Sequence, residues 1–324
     1  MSYQIGFYFF LFLTAGLLSA IFTVLAKKIS LKYGFYDDPG KDSLKIHKMP
    51  IPFLGGAAVL GSFLLCLILV WLFKPGHGIA FDNSALIAIF VGSVIAWFYG
   101  FWDDTYWQDR KKIKQSAKIF LQIPIVLILA LIFYNAQIKY QFFGLSLFGI
   151  FLAALCFLFI ENATNLQDGL DGLASGIIFI SSAAFFIFFV FSQNLFAASV
   201  CVIISGALFS FLFFNWNPAS IFLGNNGSYF LGFLMVVLAI MSSQPGRFFY
   251  SFVPYLLIGA PIFNVFYVFA KRGAVGRSFF SADRSHLHDD LFKATKSVTK
   301  SVVCIYFMHL VFVALGLFII FKLK

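Results

Sequence analysis

The sequence predicts an all-α polytopic membrane protein of about ten transmembrane helices, on three observations. Hydrophobic residues make up 61% of the 324 positions, 48 of them phenylalanine, and charged residues only 11%. The apolar residues gather in runs of roughly 20, the length a helix needs to cross a bilayer, and these runs lack the alternation of a membrane β-strand. Basic residues are concentrated in a few of the connecting segments, as in a chain threaded through a membrane with fixed orientation.

The apolar runs place ten spans at residues 5–26, 54–73, 85–102, 119–135, 143–160, 173–192, 195–214, 227–243, 249–270 and 301–321. Some are short or interrupted by Gly and Pro, which leaves room for one to be re-entrant or split. The first run has no basic leader and no small-residue cleavage motif, so it reads as a retained span. No connecting segment is long enough to fold alone. Residues 1–324 therefore read as a single integral membrane domain.

With ten spans, the odd-numbered connections share one side. Segments 27–48, 110–118 and 271–300 carry 18 of the 23 Lys and Arg, while Lys74, Lys139, Arg247, Lys322 and Lys324 fall opposite. The excess makes the odd connections cytoplasmic and both termini external. The net charge of +10 is thus mainly an orientation signal, with attraction for anionic lipid, and gives no reason to expect nucleic acid. Twelve of the 13 acidic residues also fall on the cytoplasmic side, with Asp82 outside. Orientation does not require this, so polar chemistry is expected at one membrane face. Cys66, Cys156, Cys201 and Cys304 stand singly in apolar runs and form neither a disulfide framework nor a zinc site.

The most informative stretch is Glu161-Asn-Ala-Thr-Asn165-Leu-Gln-Asp168-Gly-Leu-Asp171-Gly-Leu-Ala-Ser-Gly176, which holds the one Glu of the chain and lies between apolar runs. Carboxylates beside hydrocarbon are costly, so their presence marks a functional site. Its glycines permit positive φ and close approach of backbone to a ligand. Four other polar clusters fall on the same side. Lys48 precedes Met-Pro-Ile-Pro-Phe-Leu-Gly55-Gly56, where it offers a point charge to a phosphate or carbonyl. Asp103-Asp104 closes the third span, where adjacent carboxylates suit a divalent cation with phosphate, or one acts as a base. Lys118 and Gln122, four residues apart, share a face at the start of the fourth span. Asn215 to Ser228 reads as a tight turn rich in Asn and Gly, with Phe222 and Asn225 facing a ligand. Asp283-Arg284-Ser-His286-Leu-His288-Asp289-Asp290 offers two rings on one face of a strand but on different faces of a helix, so either a shared metal or a phosphate site is open.

These five stretches, in this order and on one face, resemble the polyprenyl-phosphate N-acetylhexosamine-1-phosphate transferases of glycosyltransferase family 4. Residues 41–56 look like that family's "H-x-x-P-x-P-x-x-GG" segment, 100–122 its "DD … K-x-x-x-Q" stretch, and 162–176 its "DGLDGLA-x-G" signature. Residues 215–232 are similar to "F-x-GD-x-GS", and 283–288 to the "HxHH" loop. The resemblance implies a multi-pass protein of the bacterial inner (plasma) membrane with cytoplasmic catalytic loops. It implies transfer of N-acetylhexosamine 1-phosphate from a UDP-sugar to undecaprenyl or another polyprenyl phosphate, with Mg²⁺ or Mn²⁺ as cofactor. This is the first membrane step of cell-surface glycan synthesis, in the branch that starts O-antigen and teichoic-acid polymers. A second copy of the chain is a candidate partner. By carry-over, Asp103 and Asp104 act on the lipid phosphate and, with Asn225, hold the metal. Lys48, Phe222, Asp168 and Asp171 line the nucleotide region with Asn165 and Asn215 nearby, and Lys118 is a further substrate-binding residue. His286, His288 and Arg284 hold the diphosphate or sugar.

Three positions depart from the family pattern: Asn225 replaces the metal-binding Asp of "GD-x-GS", Asp289 replaces the third His of "HxHH", and Asn264 replaces an Asp after Pro261-Ile-Phe. The loss of a carboxylate at 225 removes a charge–charge attraction for Mg²⁺. Either the metal moves toward Asp103, Asp104 or Asp168, or the branch works differently, or activity is lost. The rival expectation is a catalytically lapsed homologue that binds lipid phosphate or nucleotide sugar as a regulator or assembly subunit. A transporter is disfavoured because the polar clusters share one face and none lies mid-bilayer.

Overall fold

The computed structural model describes residues 2–41, 49–73, 83–106, 115–136, 147–242, 249–278 and 284–322. Lys48 lies outside the described residues. The helices are α1 (Ser2–Tyr33), α2 (Gly55–Phe73), α3 (Asn83–Tyr106), α4 (Gln115–Asn135), α5 (Leu147–Gln167), α6 (Leu173–Phe191), α7 (Leu195–Asn215), α8 (Gly224–Met241), α9 (Gly259–Ala274), α10 (Leu287–Thr295) and α11 (Val298–Lys322). A 3₁₀ segment (Phe249–Ile258) precedes α9, and a small antiparallel pair joins β1 (Tyr36–Asp37) to β2 (Ile51–Pro52). Among the described residues, ten helical stretches are long and apolar enough to cross a membrane, and they correspond to the ten predicted spans.

Two boundaries shift in a way that matters for chemistry. The third span was expected to end at 102, but α3 continues to Tyr106 and carries Asp103 and Asp104 on its last turns. The fifth was expected to end at 160, but α5 continues to Gln167, so Glu161, Asn162 and Asn165 lie on a helix. Hydropathy marks where side chains turn polar, whereas the backbone ladder continues as long as its own hydrogen bonds close. The ninth span is broken, as the sequence allowed for one of them. Its first part is 3₁₀ and its second is α9, with Pro254 and Pro261 flanking the change.

The bundle is built around α8, whose residues 226–240 are buried on every side by α2, α3 and α5. The helix before it in the chain, α7, is nearly as enclosed, between α1, α2 and α6. By contrast, α1, α4 and α11 present large apolar side chains outward, including Phe9, Leu17, Phe120, Ile128, Phe307 and Phe318. In hydrocarbon, helix pairs associate through close packing of small residues more than through water exclusion. The contacts follow that rule: a Cβ added at Gly206 would lie 2.3 Å from the Phe12 carbonyl oxygen, and one at Gly232 2.7 Å from the Cα of Glu161.

Buried polar groups join the remaining helices. The Ala260 amide at the start of α9 donates to Nδ1 of His309 at 3.4 Å, and His309 Nε2 lies 3.0 Å from the Ser181 hydroxyl. One fully buried imidazole on α11 thus ties α6 to the broken ninth span and occupies a backbone group released at the break. Gly232→Val should drive α5 and α8 apart. A loss of about 1–3 kcal/mol is expected for overpacking of this kind, read as a lower unfolding midpoint of the detergent-solubilised protein, with Gly6→Ala, which meets nothing within 4 Å, as the neutral control.

Candidate active site

The site forms where α8 begins. Gly224 has φ of +77°, and a Cβ there would lie 2.4 Å from the Phe53 carbonyl oxygen, so glycine alone fits. The amides of the first helical turn have no partner within α8. Asp104 supplies one from α3: Oδ1 accepts the Asn225 N–H at 3.0 Å, and Oδ2 accepts the Asn226 N–H at 2.9 Å and the Asn226 side-chain amide at 2.7 Å. A carboxylate at a helix N-terminus also meets the positive end of the dipole. Gly100, one turn earlier on α3, makes the approach possible, since a Cβ there would sit 2.3 Å from the Asn225 carbonyl oxygen.

Asp103 is 3% exposed, beside Asp104. Its Oδ1 lies 2.5 Å from Lys118 Nζ at the start of α4, and its Oδ2 accepts from Asn225 Nδ2 at 2.8 Å. Asn225 Oδ1 in turn accepts from Asn165 Nδ2 at 2.7 Å, and that amide also lies 3.0 Å from Ser228 Oγ. A second chain runs behind it. Asn162 donates to Gln122 Oε1 at 2.7 Å, and Gln122 donates to the buried Glu161 at 2.7 Å.

The 168–172 loop closes the other side. Asp171 Oδ2 accepts from Asn217 Nδ2 at 2.7 Å and from the Ala219 amide at 3.0 Å, which fixes the turn after α7. Asn215 is buried and bridges Ser175 (2.6 Å) to the Ile221 carbonyl (3.0 Å), so it shapes the turn from inside. Phe222 acts through its backbone: its N–H donates to the Pro52 carbonyl at 2.8 Å, and its carbonyl accepts the Gly55 N–H at 3.1 Å. Asp168 differs from these. Its amide donates to the Asn165 carbonyl at 3.1 Å, but its carboxylate accepts no hydrogen bond from any described residue. Burial, with the charges of Asp104 and Asp171 adding to it, pushes that carboxyl up to about 7.

The last cluster stands at the start of α10. His286 is the N-cap residue, and its amide donates to Asp289 at 3.3 Å. The His286 and His288 rings stack, 5.2 Å between centroids and 5° from parallel. Asn264 of α9 joins them to α5: its Oδ1 accepts the Leu287 N–H at 3.1 Å, and its Nδ2 lies 3.4 Å from the Leu166 carbonyl. His288 is buried against the 168–172 loop, where a Cβ at Gly169 would lie 2.0 Å from Nε2. Burial lowers His288 to about 4, although Asp290 opposes this, so its 3.9 Å approach to Asp289 is not an ion pair at neutral pH. Asp289 is raised, chiefly by burial, against the attraction of His286, Arg284 and Lys293. Asp290 faces outward, where partial burial would raise it but Lys271, Tyr267 and Lys293 outweigh that and hold it below the ordinary value.

Asp103, Asp104, Lys118, Asn165 and Asn225 are therefore in one hydrogen-bonded group, and Asp168 adjoins it. His288 reaches the same loop, while Asp171 and Asn215 support the turn beside it. The metal set expected from sequence, Asn225 with Asp103 and Asp104, has its oxygens turned toward amide and ammonium donors. Both Asp104 oxygens cap α8, and the Asn225 oxygen faces an N–H donor. Converging free lone pairs, which Mg²⁺ requires, are not offered by this arrangement. Among the described residues, no group of three or more His, Cys, Asp or Glu is placed to hold a metal. Sequence reasoning passed over Asn226, Ser228 and Asn217 as functional partners, and Asn264 as more than a departure. The first turn of α8 is capped by Asp104 from α3 and not by its own Asn side chains, so no local sequence signal marks these partners.

The geometry separates two carboxylates that the sequence treats alike. Asp104→Ala should lower the unfolding midpoint by the equivalent of about 1 kcal/mol or more, the cost of a lost cap. Asp168→Asn should leave the midpoint unchanged or raise it, because it removes a desolvated charge that gains no hydrogen bond.

The glycosyl transferase family 4 model matches residues 86–243, from α3 to just past the end of α8. The probable undecaprenyl-phosphate N-acetylglucosaminyl 1-phosphate transferase of Bacillus subtilis (strain 168) is 29% identical over 325 residues, covering 96% of this chain and 88% of the relative. The undecaprenyl-phosphate alpha-N-acetylglucosaminyl 1-phosphate transferase of Escherichia coli (strain K12) is 26% identical, covering 86% and 74%. The phospho-N-acetylmuramoyl-pentapeptide-transferase of Streptococcus uberis (strain ATCC BAA-854 / 0140J) is 27% identical, covering 87% and 89%. The matched segment holds the α3, α5 and α8 ends that build the site, and the relatives extend the likeness over most of the chain, which is similar to the glycosyl transferase family 4 proteins along that length.

Proposed function

We propose that this protein transfers N-acetylhexosamine 1-phosphate from a UDP-sugar to a polyprenyl phosphate, giving the polyprenyl-diphosphate sugar and UMP. The observation that carries the reading is Asp168. It is a carboxylate with no hydrogen bond from a described residue, beside Asp103, Asp104 and Asp171, each of which accepts from an amide. The names of the relatives from B. subtilis and E. coli support the substrate class.

In this reaction an oxygen of the lipid phosphate bonds to the sugar-linked phosphorus, and the bond from that phosphorus to the bridging oxygen breaks, its electrons leaving with UMP. Such a transfer depends on positioning and on balance of charge more than on covalent participation by the protein. Asp168, ionising near neutral pH, takes the remaining proton of the lipid phosphate and so leaves the stronger nucleophile. Lys118 brings positive charge to the rim, held by Asp103. The stacked His286 and His288, with Arg284, face the diphosphate side, where neutral His288 orients the loop and Arg284 supplies the charge. The lipid chain runs along the outward apolar faces, while the UDP-sugar arrives from the cytoplasm at the basic side of a bacterial inner membrane. The product starts a cell-surface polymer of the O-antigen or teichoic-acid type. A binding-only role is the second reading, favoured by Asn225 standing at a position where the family carries an acid.

Membranes containing the protein should convert radiolabelled UDP-GlcNAc or UDP-GalNAc, with undecaprenyl phosphate, into labelled lipid and UMP. No conversion and no UMP exchange with either sugar would leave the binding-only reading. If the enzyme is active, its rate should rise with pH through about 7 as Asp168 loses its proton. Asp168→Asn should cut turnover by at least ~100-fold and abolish that rise. In a background without the native cysteines, a thiol at Asn83 should be labelled from outside intact cells and one at Ser278 only after permeabilisation.

A further inference from the structure

We propose that Lys118 and Asn225 stand in for a resident divalent cation at the start of α8. Lys118 supplies the positive charge, and the Asn225 amide supplies a donor. The argument begins with Asp103, a buried carboxylate that must be compensated where it stands. Its two oxygens are compensated differently: Oδ1 by the Lys118 ammonium at 2.5 Å, and Oδ2 by the Asn225 Nδ2 at 2.8 Å.

The direction of the Asn225 amide is fixed by its neighbours. Asp103 presents acceptor oxygens on one side, and Asn165 presents an N–H on the other, at 2.7 Å from Asn225 Oδ1. A flipped amide would set oxygen against oxygen and nitrogen against nitrogen. The Asn225 oxygen is therefore turned away from Asp103 and does not converge with its carboxylate on any common point. Asp104 offers no alternative, since its oxygens hold the Asn225 and Asn226 amides. A carboxylate at 225 would reverse the situation. Its oxygen would lie about 2.8 Å from Asp103 Oδ2, where the amide nitrogen now lies, and two anionic oxygens at that distance need a proton or a bridging cation between them. Asn225 removes the need. Lys118 and Asn225 are in this respect positioning residues, acting through Asp103.

The test reads cation binding without substrate, so it is independent of whether the chain is a transferase. Purified full-length protein is titrated with Mn²⁺ alone, and free Mn²⁺ is followed by its paramagnetic resonance signal. The Mn²⁺ bound by wild type should be unchanged in Asn225→Ala, whereas Asn225→Asp should gain one equivalent held roughly 10–100-fold more tightly than any ion at that position in wild type, the range by which such neighbours alter metal affinity. Loss of one bound equivalent in Asn225→Ala overturns the proposal, as does failure of folded Asn225→Asp to gain one. Lys118→Met approaches the question from the other partner and guards against misfolding of the first variant. Its unfolding midpoint should fall and be partly restored by millimolar Mg²⁺, while the wild-type midpoint should not respond. A wild-type midpoint that rises with Mg²⁺ and ceases to rise in Asn225→Ala overturns the proposal, and so does a Lys118→Met midpoint that Mg²⁺ leaves unrestored.

Discussion

The contact on which the rest depends is the grip of Asp104 on the first turn of α8. A helix buried on all sides has its unpaired N-terminal amides as its weakest point, because no water can reach them at low cost. Here a neighbouring helix provides the acceptor, and the side chain of Asn226 adds a further bond to the same carboxylate. The cap fixes the axial position of α8 against α3. That in turn sets where Asn225 meets Asp103 and Asn165, and so where the open side of the group lies. Gly56, Gly100 and Gly224 are needed for the same reason, since each lets a second backbone reach this turn.

The acidic residues at this face thereby acquire separate tasks. Asp104 holds a helix, Asp171 a turn, Asp103 a lysine and an amide, and Asp290 a pair of lysines on the outside. With these charges committed, Asp168 keeps its carboxylate unbonded within a low-dielectric setting beside two others of like sign. That combination raises it into the neutral range. At α10 the buried His288 ring, held neutral by burial, packs on the 168–172 loop, with Arg284 and Lys293 the positive charges near Asp289.

Much of this was legible in the chain. Long unalternating apolar runs gave the ten helices, and the rarity of acids made the 161–171 stretch conspicuous. The division of labour among carboxylates was hidden, because adjacent Asp103 and Asp104 differ only in which way each points from the last turns of α3. The apolar run stops at 160 because Glu, Asn and Gln are polar, yet residues 161–167 continue the α5 ladder. Polarity reports the environment of a side chain and says little about the backbone beneath it. Asn225 was conspicuous as a departure, but its meaning required the orientation of an amide between an acceptor and a donor.

The seat of His288 against Gly169 bears on how this fold can drift. The ring fills the space that any side chain at 169 would need, with Nε2 2.0 Å from where a Cβ would begin. A larger residue at 169 is tolerable only after the ring at 288 has been reduced, and reducing the ring first leaves a void under the loop. Neither order has a neutral first step. The two positions, 119 residues apart in the chain, are therefore bound to change as a pair or to stay as they are, and the short helix α10 inherits the constancy of the loop it covers.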